Sequence, residues 1–411
     1  MEMPTGFSAI EDRMLRVDAL PAGFGDCLWI EWGSDSNRSV MLIDGGLKAT
    51  AEAIRRRIRH ALEERGAQHL TIRLFVITHI DRDHIDGALA FLDDPQVPVD
   101  FTEIWFNGRP QLERAKLART DLLGVVAGAN LSDLLGERYD RQWNHWSKGD
   151  AIAIADEGPL PRYQLDASAS LTLLGPSLER LKSLTSAWED VMGEFTPEVG
   201  KRADLLGDEL TEEAEEPLRA DLLGKAEAWP PRWSDYDNPD NTPANGSSIA
   251  FVLEAEGRRL MLCADAYAED LLGGLERLDG IGTNQRVMFD LVKLPHHGSE
   301  RNFSPELAQR IDCDRYLVST NCRVHRHPNF ATVLRILRLS DRRVRLQFNY
   351  EGDKTVCWRD RKADVVGGFA DYDTEYAEPG CVWGLRNEWR ERVGATQQLL
   401  REGNHWTGGV G

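Results

Sequence analysis

The chain alternates short apolar runs with polar or glycine-rich breaks. Between residues 14 and 46 two runs, 26–32 and 40–43, read as strands separated by a polar turn over 33–38. The second run ends in Asp44-Gly45-Gly46, where paired glycines permit a sharp turn. From 48 to 65 the period lengthens, and Ala51, Ile54, Ile58 and Leu62 share one face of a helix. Residues 70–77 are again short and apolar, a strand, and 87–92 read as a buried helix. Further strands are expected over 101–106, 171–174, 248–253, 259–263, 289–294, 316–319 and 344–348, with mixed, helical character over 111–150. Residues 177–240 break this rhythm. They are acidic and helix-forming around Glu212-Glu213-Ala214-Glu215-Glu216-Pro217 and end in a stretch dense in Pro, Asp and Asn. They read as an insertion into one domain.

At 411 residues, 41% hydrophobic and 28% charged, the chain has the make-up of a globular protein with a sizeable core. It contains no apolar run of about 18 residues able to span a bilayer. Met1-Glu2-Met3-Pro4 has no basic stretch leading into an apolar one, and the six cysteines form no Cys-x-x-Cys pair. A cytoplasmic protein with reduced thiols is therefore expected. The net charge of −19 disfavours a long, non-specific nucleic-acid footprint. Two local basic patches, at residues 55–59 and 342–345, are expected to be a solvated helix face and a strand flank.

The chemistry concentrates in Thr78-His79-Ile80-Asp81-Arg82-Asp83-His84-Ile85-Asp86-Gly87, directly behind a strand. Imidazole nitrogens and carboxylate oxygens suit zinc, manganese or iron. His79 and His84 are five apart, not four, so they do not share a helical face as in a His-Glu-x-x-His site. A tight turn between a strand end and a helix start fits the spacing. Helix capping would use one acid, whereas this segment has three beside two His. Other strand ends carry similar groups: Asp44, Asp265, His296-His297, and the neighbourhood of His325 and His327.

His-x-Asp-x-Asp-His-x-x-Gly, a later Asp at a strand end and then Leu-Pro-His-His-Gly-Ser resemble the metallo-β-lactamase superfamily. Within it the pattern is most similar to the hydrolase domain of ComEC-type competence proteins and their soluble relatives. Gly25-Asp26, Asp44-Gly45-Gly46, Asn245-Gly246-Ser247-Ser248 and His327-Pro328 add to the likeness, which covers roughly 14–350. It implies an α/β fold, a four-layer αββα sandwich with a helical, acidic insertion. The hydrolase domain would occupy 1–360, with insertions at about 111–165 and 177–240. A C-terminal extension, 361–411, would pack on the domain or on a partner.

The resemblance further implies two divalent ions, zinc first and manganese as the alternative. His79 and Asp81 would bind one, Asp83 and His84 the other, with Asp265 between them and His297 or His296 completing the second site. A hydroxide held between the ions would be the nucleophile, and Asp83, Asp265 and His327 would form the catalytic group. Asp44, Asn245 and Ser299 would support the ligands from behind. Two departures stand out. Asp81 replaces the usual His, and Asn245 with Ser247 and Ser248 lies where many relatives offer another His. His145, between two tryptophans, reads as a packed or surface residue rather than a ligand.

Carboxylate-rich paired metals suit a phosphodiester, in a small anionic substrate or a short nucleic-acid end. A lactone, thioester or amide hydrolase is the alternative enzyme. A non-catalytic component that binds a protein partner through the acidic insertion or the C-terminal tail is the alternative of another class. No membrane association is expected.

Overall fold

The computed structural model describes residues 11–114, 122–184, 236–278, 285–324, 326–365 and 369–393. β1 (Glu11–Ala19), β2 (Leu28–Ser34) and β3 (Asn37–Ile43) form an antiparallel meander. The run expected as one strand over 70–77 is two: β4 (Leu70–Ile72) leaves to pair with β6 (Val99–Phe101), and β5 (Leu74–Val76) joins β3 in parallel. β7 (Ile104–Trp105) follows β5 at the edge. The second sheet begins with the antiparallel strands β8 (Arg162–Asp166), β9 (Ala169–Gly175), β10 (Ala250–Ala255) and β11 (Arg258–Leu262). A short pair, β12 (Val287–Phe289) and β14 (Ile311–Cys313), lies apart, while β13 (Leu291–Lys293), β15 (Arg315–Val318), β16 (Val344–Phe348) and β17 (Tyr372–Tyr376) continue the sheet in parallel. β18 (Leu385–Val393) returns to the first sheet and pairs antiparallel with β1.

Residue alternation explains the layering. Leu28, Ile30 and Trp32 of β2, Met41 and Ile43 of β3, and Leu74 and Val76 of β5 face the second sheet. Trp29, Val40, Leu42 and Phe75 face the other way, onto α1 (Thr50–Arg65), α2 (Arg82–Asp93) and, beyond α3 (Arg109–Arg114), α4 (Leu122–Arg138). Past the one-turn α5 (Pro243–Gly246), the far side of the second sheet is covered by α6 (Ala268–Glu276), α7 (Pro305–Arg310) and α8 (Phe330–Leu339), through Leu271, Leu307 and Val333 among others. The fold is thus a four-layer αββα sandwich. No helix among the described residues is long and apolar enough to cross a membrane, and all six cysteines are unpaired.

Three expectations need correcting. β1 escaped the apolar pattern because Arg16 and Asp18 point into the helix layer, where they are buried in an ionic network. The stretch 55–59 is not simply a solvated face. Arg57 is fully buried, donates to Asp18 at 2.8 Å, approaches Glu31 at 3.3 Å and lies over the Trp29 ring. Among its described residues, the segment after 360 does more than pack on the domain: β17 is the edge strand of one sheet and β18 of the other, with Arg386 paired to Asp18 at 2.6 Å. Arg342 and Arg343 do flank β16, Arg345 lies within it, and each is paired to an aspartate. The acidic core of the insertion lies outside the described residues.

Removing one member of a buried ionic network strands the others. Arg57→Ala is expected to destabilise the fold by about 3 kcal/mol, read as a lower urea midpoint at unchanged slope.

Candidate metal centre

Loops at one edge of the sandwich bring the singled-out residues together, and several are held in costly backbone conformations. Asp44, Ala264, His296 and His297 all have positive φ, at 57°, 48°, 46° and 53°. Close approach of the loops requires glycine. A Cβ on Gly25 would stand 1.8 Å from the carbonyl oxygen of Asp83, and one on Gly87 would stand 2.0 Å from that of Gly45. With the glycines in place, Asp26 N–H donates to Asp83 O at 3.2 Å and Gly45 N–H to His84 O at 2.8 Å.

Each of four imidazoles is tied through Nδ1. Asp44 Oδ1 accepts from Thr78 N–H at 2.8 Å, and its Oδ2 accepts from the Thr78 hydroxyl and from His84 Nδ1–H, both at 2.9 Å. Because the Thr78 proton goes to Asp44, its oxygen is left to accept from His79 Nδ1–H at 2.9 Å. His297 Nδ1–H donates to the Ser319 carbonyl at 2.7 Å, and His296 Nδ1–H to Asn302 Oδ1 at 2.9 Å. All four rings therefore present Nε2 inward.

The inward atoms converge on two carboxylates. His84 Nε2 lies 3.5 Å from Asp265 Oδ1 and 3.8 Å from Asp83 Oδ2. His297 Nε2 lies 3.2 Å from Asp83 Oδ2 and 3.7 Å from Asp265 Oδ2, and His296 Nε2 lies 3.7 Å from that same Asp265 oxygen. His79 Nε2 is 3.6 Å from Asp81 Oδ2, and the His79 and His84 rings are 4.2 Å apart. His79, His84 and Asp265 form one set of close ligand atoms, and Asp83, His84 and His297 another. His79 Nε2, His84 Nε2 and Asp265 Oδ1 are buried without a hydrogen-bond partner among the described residues. Buried polar atoms are normally satisfied, so imidazole nitrogens and a carboxylate oxygen left open to one another fit a divalent cation.

Capping does not account for the acids. Asp81 is the N-cap of α2 but makes no side-chain cap bond, Asp86 accepts from Arg82 within the helix at 2.9 Å, and Asp83 turns to His297 instead of to the helix end. The field they create is strong. Burial favours neutral imidazole, but Asp265, Asp26 and Asp83 outweigh it and hold His297 at about 10. Burial likewise opposes the charge on His84, yet Asp265, Asp83 and Asp44 raise it well above the ordinary imidazole value. Burial would raise Asp83 and Asp265, but the facing imidazoles hold both well below the usual carboxylate range.

Other residues fall as follows. His327 is half-buried beside His296, ring centroids 5.2 Å apart. Asn245 sits behind His296 and donates to Asp240 Oδ2 at 2.6 Å. The Ser299 hydroxyl accepts from Arg301 N–H at 3.2 Å, so it shapes the following loop, and the support expected of it for an imidazole comes from the carbonyl of Ser319. His145 is exposed and lines a separate cavity of about 760 Å³ with Trp143 and Asp133. His325 lies outside the described residues. Sequence reasoning missed Lys293, which is buried and donates to Asp26 Oδ2. A lysine inside an apolar run was the available signal. It also missed Asp240 and Asn302, which had no signal beyond a polar loop.

No known protein family matches the chain, and no curated protein sequence is significantly similar. Among solved structures, CmlA, a diiron β-hydroxylase from Streptomyces venezuelae, aligns over 93% of this chain and 55% of its own length, at 11% identity and a TM-score of 0.35. A CmlA β-hydroxylase mutant aligns over 95% and 55%, at 10% identity and the same TM-score. The chain thus spans about half the length of these proteins, and a likeness at that score carries no inference about activity.

The shifts set a pH window for protein stripped of metal. The raised His297 contributes stability that is complete below its ordinary value of 6.5 and is lost as pH rises toward about 10. The depressed Asp83 and Asp265 contribute stability present above 3.8 and lost as pH falls through their lower values. Urea midpoints in excess chelator should therefore peak between about 4 and 6.5 and fall on either side; a midpoint that climbs from pH 7 to 10 contradicts this field.

Proposed function

We propose that the chain is a metal-dependent hydrolase of phosphodiester bonds. The observation that supports it best is the set of Nδ1-anchored imidazoles whose Nε2 atoms meet the carboxylates of Asp83 and Asp265. In this reading His79 and Asp81 hold one divalent ion, Asp83, His84 and His297 hold a second, and Asp265 lies between them. The ions would supply Lewis acidity toward a phosphoryl oxygen and a lowered pKa for water. The chain's own residues do the rest. Asp44 and Thr78 fix the rings of His84 and His79, and Ser319 fixes that of His297. In this reading Asp81, its side chain 36% exposed, and half-buried His327, beside His296, would be the residues to meet substrate.

The donor set favours phosphoryl chemistry. Carboxylates outnumber what an all-imidazole first site would provide, and hard oxygen donors admit manganese beside zinc. A net charge of −19 favours a small nucleotide or a short strand end over a long duplex. A soluble relative of the ComEC-type hydrolase domain is the lineage most consistent with the motifs.

Purified protein with manganese is expected to hydrolyse bis-p-nitrophenyl phosphate. The pair Asp83→Ala with His84→Ala should lose bound metal and at least about 10³-fold in kcat/KM, several kcal/mol of transition-state stabilisation. Lactone hydrolysis with zinc, and no phosphodiester cleavage with any divalent metal, would sink the assignment. Asp81→His should shift the preferred ion from manganese toward zinc, measured as relative affinity by competition with a chelator.

A further inference from the structure

Asn245 lies against His296, its amide nitrogen 3.2 Å from Nδ1 of that ring. Its Nδ2 donates to Asp240 Oδ2 at 2.6 Å, and its Oδ1 is buried without a partner among the described residues. Asn302 Nδ2 donates to that same Asp240 oxygen at 2.9 Å and to the Asp265 carbonyl at 3.1 Å. Both of these acceptors lack a proton, so the Asn302 amide can lie only one way round. Its Oδ1 then faces His296 Nδ1 at 2.9 Å. Asp240 Oδ2 itself lies 3.4 Å from the same ring nitrogen.

Two acceptors thus require a proton on Nδ1. The amide nitrogen of Asn245, 3.2 Å away, pulls the other way but is the weaker and more distant influence. With Nδ1 protonated, the Nε2 lone pair of His296 is aimed at Asp265 Oδ2, 3.7 Å away. The clamp is rigid. Asp240, Asn245 and Asn302 are all buried. Asp240 N–H donates to Arg301 O at 3.0 Å, and the Arg301 guanidinium donates back to the carbonyls of Asn238 and Pro239. Asp240 Oδ1 is filled by Thr242 N–H at 3.1 Å and its hydroxyl at 2.8 Å.

We propose that Asp240, acting through Asn302, is the positioning residue that fixes the tautomer of His296, and that His296 thereby presents Nε2 beside Asp265 as a ligand of the metal centre. The proposal rests on the metal reading above. It gives the two neighbouring histidines different supports: the Ser319 carbonyl holds His297, whose Nε2 meets Asp83, and Asn302 holds His296, whose Nε2 lies by Asp265 Oδ2. A loop residue outside every recognisable motif takes over the supporting role that Asp44 plays for His84.

The test is D240N. Thr242 N–H needs an acceptor, so the new amide must keep its oxygen there and turn its nitrogen toward Asn245 and Asn302, placing a donor against two donors. The Asn302 amide is then driven to turn, and the proton of His296 moves from Nδ1 to Nε2. Loss of such an outer partner weakens metal binding about 10- to 100-fold. D240N and H296Q are each expected to retain one tightly bound manganese or zinc equivalent and to bind the second about 10- to 100-fold more weakly, measured by dialysis and chelator competition. In metal-free protein at a pH where His296 is neutral, ¹⁵N shifts should report Nδ1–H in the wild type and Nε2–H in D240N. N302S, which deletes the acceptor without altering Asp240, should weaken the same equivalent, and adding D240N to H296Q should cost nothing more.

Two full-affinity equivalents in D240N, or an unchanged His296 tautomer, overturn the role of Asp240. Two full-affinity equivalents in H296Q overturn the ligand assignment. A wild-type protein that binds no divalent ion removes the metal reading itself, which distinguishes that failure from failure of the clamp alone.

Discussion

The carboxylate of Asp44 is the constraint on which the rest of the centre depends. It lies at the end of β3, accepts from the backbone and hydroxyl of Thr78 behind β5, and accepts from His84 in the first turn of α2. One side chain therefore joins two parallel strands to a helix and dictates the protonation of two imidazoles. The left-handed backbone that aims it, at φ 57°, is a cost the hydrogen bonds offset. Asp44 reaches His79 only through Thr78, so a residue with no metal affinity transmits the orientation.

The second constraint is charge. Buried Asp26, Asp44 and Asp265 and part-buried Asp83 crowd around His84 and His297, with Asp81 at the rim, and Lys293 is the ammonium set against them. Buried charge of one sign is tolerable only when it is paired. Lys293 holds Asp26, whose other oxygen lies 3.4 Å from His297 Nδ1, so the back wall is neutralised from within the sheet. The remaining deficit faces the open side. Two divalent cations and one lysine carry the same charge, with opposite sign, as these five carboxylates.

Much of this was legible in the chain. Apolar runs of the right length marked the inner strands, and the recurrence of ligand-type residues at their ends located the centre before any pairing was known. What escaped did so for identifiable reasons. β1 and β18 carry charged residues inward, where Asp18 pairs with Arg57 and Arg386 and Arg16 pairs with Glu31 and Glu388, at separations that reach more than 360 residues of sequence, so no local pattern announces them. The split of 70–77 into two strands depends on which neighbour each half meets. Asp240 and Asn302 were invisible because their meaning lies in the amide they orient, and amide direction has no sequence period.

The closure of the first sheet has a consequence for biosynthesis. β1 pairs along its whole length with β18, Glu11 opposite Val393, while its other side meets β2 at once. During translation the N-terminal meander must wait, with one edge unpaired, until nearly four hundred residues have emerged. An open strand edge is a template for pairing with another chain, and such a long-range closure is intrinsically slow. The inward charges of β1 then acquire a second meaning. A strand that presents Arg16 and Asp18 is a poor surface for a stranger to join, so the ionic network that steadies the finished protein also guards the nascent one.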